Sequence, residues 1–117
     1  MHRIGHIELF SANPIASRDF YCDVLGFELV DVQGGQCVWL KLGAIEILLR
    51  PGAPSAAPDR YREARCAIVI YTDDLAQTAR EWEGRGLTFR GTDGSDACLT
   101  FTDPDGHWFQ LVNPADH

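Results

Sequence analysis

Ile4-Gly5-His6-Ile7-Glu8-Leu9-Phe10 alternates between two kinds of side chain, the period-two pattern of a β-strand. Ile7 and Leu9 form an apolar face that can pack on a helix, whereas the other face sets two ionisable groups, His6 and Glu8, between Ile4 and Phe10. Asn13-Pro14 then supplies a helix start, with Asn as cap and Pro in the first turn, and Ile15, Phe20, Tyr21 and Leu25 make an apolar stripe that Gly26 ends. Residues 27–32, 37–42 and 44–50 read as three further strands, broken at Gly34-Gly35 and at Gly43, a spacing that favours antiparallel neighbours.

The next stretch, 51–58, holds three prolines and three alanines with a glycine and a serine, and reads as a connector that cannot pair in a sheet. Beyond it the order returns: a strand at 66–72, a helix at 74–85 stopped by Gly86, and strands at 87–90, 97–102 and 107–112. Both halves therefore read β-α-β-β-β. Gly26-Phe27 answers to Gly86-Leu87 as the turn from helix to strand, and the hairpin ending at Glu46 answers to the one ending at Gln110, which points to an internal duplication. The expected fold is α+β: one domain of two β-α-β-β-β modules, about 1–50 and about 64–114 with a linker at 51–63, forming a curved mixed sheet around a central cleft.

A chain of 117 residues is long enough to fold around one core without disulfides or structural metal. Cys22, Cys37, Cys66 and Cys98 form no C-x-x-C pair and read as thiols of a reducing compartment. Residues 1–3 run straight into the first strand without a signal-peptide pattern, and no apolar run nears the ~20 residues that span a bilayer, so the expected compartment is the cytoplasm, with no membrane role. Seventeen acidic against ten basic residues leave a net charge of −7, which repels phosphate backbones and argues against a nucleic-acid partner.

A sheet with a helix on one face must cover the other. Alternation assigns to that second face His6 and Glu8, Glu46 and Leu48, Ala67 and Val69, and His107 or Gln110. Polar groups on a covered face cost several kcal/mol unless they find partners, so these are the first candidates for function.

Gly5-His6-Ile7 followed by Phe20-Tyr21-Cys22-Asp23-Val24-Leu25-Gly26-Phe27 resembles the opening of domains of the vicinal oxygen chelate superfamily, which includes glyoxalases, extradiol dioxygenases and bleomycin-resistance proteins. Thr72-Asp73-Asp74-Leu75 and Phe101-Thr102-Asp103-Pro104-Asp105-Gly106-His107 resemble its later motifs, in the right order over nearly the whole chain. The resemblance implies a divalent metal, Zn, Ni, Mn or Fe, held on the inner sheet faces. Carried over by position, the ligands fall on His6, Glu46 and Gln110, while the position usually held by His is Ala67, a departure that weakens the set.

Two functions follow from that resemblance. One is a metal-dependent lyase, isomerase or dioxygenase acting on a substrate with neighbouring oxygens, with Glu8 or Glu46 as base; the presence of His6 and Glu46 favours it. The other is a metal-free protein that sequesters an antibiotic or other small ligand, with Trp39, Leu48 and Trp108 as ligand contacts and Phe109 close by. Single-domain relatives generally pair, so a homodimer is implied as well.

Overall fold

The structure is a computed structural model that describes residues 1–116. It divides into two compact units, residues 1–55 and the chain from Ala56 onward. Each carries one helix and one mixed sheet, of four strands in the first and three in the second, so the α+β class expected from the sequence is what forms. Among the described residues no helix is long and apolar enough to cross a membrane.

In the first unit the strands β1 (Ile7–Ser11), β2 (Glu28–Gln33), β3 (Cys37–Leu42) and β4 (Ile45–Pro51) lie in the order β1-β4-β3-β2. β1 runs parallel to β4, and the other neighbours are antiparallel. The helix α1 (Pro14–Asp19) is capped by the Asn13 side chain, which accepts from the Ala16 amide at 3.2 Å, and Phe20–Val24 continues it as a π-helical turn. Leu9, Val38, Leu40, Ile47 and Leu49 are buried under it with Tyr21 and Leu25, an apolar face of alternate residues on each strand. Pro51 belongs to β4 as the partner of Ser11, so the connector starts one residue later than its composition indicates. Proline is tolerated there because the bond to β1 comes from the next residue, the Gly52 amide donating to the Ser11 carbonyl at 3.0 Å, while the pairing with β3 has already ended at Val38–Leu49.

The second unit repeats the plan. β5 (Ile68–Tyr71), β6 (Cys98–Thr102) and β7 (Trp108–Val112) lie in the order β5-β7-β6, with β5 parallel to β7 and β6 antiparallel to it. The helix α2 (Leu75–Gly84) is capped by Asp74, whose carboxylate accepts from the Gln77 amide at 3.0 Å. It buries Ala79 and Trp82, the latter edge-on to Phe101 with ring centroids 5.6 Å apart.

The two helix ends match as well. Gly26 and Gly86 both have positive φ, and the next residue bonds back to the helix in each case: Phe27 to the Tyr21 carbonyl at 2.9 Å, Leu87 to the Trp82 carbonyl at 3.0 Å.

One expected strand is absent as such. Residues 87–90 run beside β6, but Arg90 donates to the Thr100 carbonyl while the Thr100 amide donates to the Gly91 carbonyl. Two residues thus stand opposite one, as in a β-bulge with glycine at φ +87°, and only the single bridge Thr92–Leu99 follows it. Leu87 is buried and Phe89 half-buried, as in a strand with one face inward, but the bulge stops the ladder from forming.

Candidate functional site

Register places the predicted polar face of the first unit. Glu8 pairs with Leu48, and Leu48 with Trp39, so these three side chains share the face turned away from α1. His6 lies one step before the Ile7–Ile47 pair, as does Glu46, whose cross-strand neighbour is Lys41. His6, Glu8, Trp39, Glu46 and Leu48 are therefore on one side of one sheet. Leu48 is buried, Trp39 and Glu46 half-buried, and His6 and Glu8 remain about one-third exposed at their side chains.

These groups form a chain of charge-assisted contacts. His6 Nε2 lies 2.9 Å from Glu8 Oε2, and Arg50 donates to Glu8 Oε1, also at 2.9 Å. The hydrogen bond from His6, then that from Arg50, holds the Glu8 carboxyl below the ordinary carboxylate range, and Glu8 in turn raises Arg50. An ionised carboxylate only accepts, so Nε2 of His6 carries the proton of that bond. The imidazole also packs edge-on against the Trp39 ring, with centroids 4.7 Å apart, and Trp39 Nε1 donates to Gln33 Oε1 at 2.9 Å.

Trp108 and Gln110 lie in the second unit, both buried, on the face of β7 opposite α2. Gln110 Nε2 donates to the Tyr61 hydroxyl at 2.7 Å, whereas Gln110 Oε1 is buried with no partner. Trp108 Nε1 donates to the Pro58 carbonyl at 2.9 Å, its ring stands edge-on to Tyr61 at 5.9 Å, and the Arg90 guanidinium lies over it, 4.7 Å from the centroid. Phe109 has no place on this face. It is fully buried on the helix side, stacked on Phe101, because strand alternation turns it opposite to its two neighbours. His107 is half-buried and its amide donates to Asp103 Oδ1.

Four residues of these clusters were missed by sequence reasoning. Arg50 was legible in principle, being two residues beyond Leu48 on the same face of β4. Gln33 and Tyr61 lie at a strand end and in a short 3-10 turn, Tyr61–Glu63, inside a segment whose composition reads only as connector. Arg90 sits at the bulge, where alternation no longer assigns a face.

The donor set does not fit a divalent metal centre. At the positions the resemblance assigns to ligands, Ala67 offers no donor, His6 Nε2 is protonated toward Glu8, and Gln110 supplies a neutral amide hydrogen-bonded to Tyr61. Only the Glu46 carboxylate has no partner among the described residues, and no three His, Cys, Asp or Glu side chains converge there in an arrangement that could hold a metal. A catalytic ion needs about three protein ligands.

The family model described as Glyoxalase/Bleomycin resistance protein/Dioxygenase superfamily matches residues 3–111. No curated protein matches the sequence. Among solved structures, lactoylglutathione lyase from Agrobacterium tumefaciens is similar at 21% identity and TM-score 0.72, covering 96% of this chain and 93% of that one. The fosfomycin resistance protein FosX from Mesorhizobium loti is similar at 17% identity and TM-score 0.75, covering 96% and 91%. A point variant of FosX from Listeria monocytogenes, complexed with Mn(II) and a dihydroxypropylphosphonic acid, is similar at 16% identity and TM-score 0.74, covering 96% and 90%. At these identities the likeness is one of fold.

Proposed function

The chain belongs to the Glyoxalase/Bleomycin resistance protein/Dioxygenase superfamily, and from that premise we propose that it binds a small organic ligand without a catalytic metal, as a sequestering or carrier protein. The observation that carries this reading is the contact chain His6–Glu8–Arg50, which engages the first-strand imidazole and the nearest carboxylate with each other. Glu8 is a weak base in this setting, because a carboxylate held below its usual range has little drive to take a proton from carbon. Trp39 and Leu48 in the first unit and, separately, Trp108 in the second supply apolar surface of the kind a small ligand needs, each with polar groups beside it that can fix an orientation.

The metal-dependent enzyme favoured by His6 and Glu46 loses ground to this reading because His6 is engaged by Glu8, which leaves the Glu46 carboxylate as a single strong donor where about three are needed. Thermal denaturation against a panel that includes bleomycin, fosfomycin, catechol and glutathione, run once with EDTA and once with Mn(II) or Ni(II), tests the choice. A ligand present at 100 times its Kd adds about 2.7 kcal/mol, which raises Tm by several degrees. The expected result is an equal rise in both conditions. Stabilisation seen only with the metal, or metal-dependent turnover of any panel member, would overturn the proposal.

A further inference from the structure

The second unit holds a pocket of about 560 Å³ that none of the family's metal positions lines. Its walls are residues 59–63 on one side and Arg90, Thr92, Asp93 and Gly94 on the other, with Thr100 and Trp108 from the sheet. Arg62 is committed to Asp93 by a 2.7 Å ion pair. The other two arginines are not: among the described residues neither Arg60 nor Arg90 has a carboxylate partner, and the guanidinium of Arg90 has only the Thr102 hydroxyl, at 3.2 Å, and the Trp108 ring.

The third donor is the Tyr61 hydroxyl. Its oxygen accepts from Gln110 Nε2, which leaves its own proton without an acceptor among the described residues. Three hydrogen-bond donors, two of them cationic, therefore surround the pocket, two of them beside a buried indole. Asp59 and Glu63 also line it, so its formal charge is balanced; what sets the donors apart is position, the Arg90 guanidinium lying over the Trp108 ring and the Tyr61 hydroxyl beside it. An arginine whose face lies on an aromatic ring keeps its N–H edge free, and that edge matches the two oxygens of a carboxylate.

We propose that this pocket binds a small carboxylate carrying a flat ring, the carboxylate held by Arg90, Arg60 and the Tyr61 hydroxyl and the ring against Tyr61 and Trp108. The inference rests on the small-ligand reading above and names its ligand class. It also reverses the preference that an acidic chain would lead one to expect, because net charge describes the whole surface whereas the pocket presents donors.

Benzoate is the probe, followed by calorimetry and by the chemical shift of the Trp108 indole N–H, with benzylamine as the same ring of opposite charge and acetate as the carboxylate without a ring. Benzoate is expected to bind and to shift the Trp108 signal, acetate at least tenfold more weakly, and benzylamine not at all. Arg90→Gln should weaken benzoate at least tenfold, Arg90→Lys less, and Arg80→Gln, on the exposed face of α2, not at all. If Arg90→Gln fails to fold, Arg60→Gln and Tyr61→Phe carry the test, each with an expected loss of at least threefold.

Benzylamine binding as well as benzoate, no binding of benzoate, or unchanged affinity in the pocket variants would overturn the proposal. Should benzoate fail while members of the wider panel still stabilise the chain in EDTA, this inference falls and the metal-free reading stands; metal-dependent stabilisation would sink that reading independently of the benzoate result.

Discussion

Replacing Phe101 by alanine is expected to lower the unfolding free energy by about 3–5 kcal/mol, read from urea denaturation. Phe101 has no exposed surface and sits at the centre of the second unit's aromatic cluster: stacked on Phe109 at 5.2 Å and 15°, and edge-on to Trp82 and to Phe89 at 5.6 and 5.9 Å. Truncation removes both the buried area and three ring contacts, and strands β6 and β7 cannot collapse into the gap because their ladder fixes their spacing. A domain has only about 5–15 kcal/mol in total, so the variant should be close to unfolding at 37 °C. The functional consequence follows from alternation: the residues beside Phe101 and Phe109, namely Thr100, Trp108 and Gln110, form the floor of the pocket face. A loss below about 1 kcal/mol would mean that the cluster is loosely packed and cannot be what holds that floor in place.

The second large effect is expected at Gly106, in the Asp103-Pro104-Asp105-Gly106-His107 turn before β7. Its φ is +89°, and a Cβ there would overlap the Cβ of Ala57 in the connector. Gly106→Ala should therefore cost about 1–2 kcal/mol for the backbone and a further 1–3 kcal/mol for overpacking, unless residues 56–58 shift. Such a shift would pull on the Pro58 carbonyl that accepts from Trp108 Nε1, so the Trp108 indole N–H signal should move in the variant. Adding Ala57→Gly separates the two terms, because the Ala57 Cα, at 3.5 Å, is at an ordinary contact distance. The double variant should recover the overpacking part and keep the backbone part. Full recovery would show that the left-handed conformation is not required, and no recovery would show that the connector does not pack on the turn.

Alternation over residues 4–10 placed His6 and Glu8 on one face, and the pairing of β1 with β4 puts Leu48 beside Glu8 there. The helix-to-strand corners at Gly26-Phe27 and Gly86-Leu87 were legible because positive φ and a buried following residue leave a strong local trace. Contacts between distant parts of the chain left no such trace. That Glu8 is held by Arg50 depends on parallel register between β1 and β4, forty-two residues apart in sequence. That Tyr61 reaches Gln110 depends on how a proline-rich connector folds back on the sheet, which composition does not specify. The strand expected at 87–90 failed for a third reason: Gly91 permits a bulge that a period-two pattern cannot distinguish from a regular ladder.

Metal binding decides between the two activities the fold can host. On the arrangement of His6, Glu8 and Arg50, together with alanine at position 67, an imported divalent ion would have to displace an ion pair and would still lack a third strong donor. Elemental analysis of protein made without a histidine tag, followed by calorimetric titration with Zn(II), Ni(II), Mn(II) and Fe(II), measures this directly. The account predicts no ion retained and no stoichiometric uptake tighter than micromolar for any of the four. One ion bound per chain with sub-micromolar affinity, and lost in His6→Ala, would contradict it.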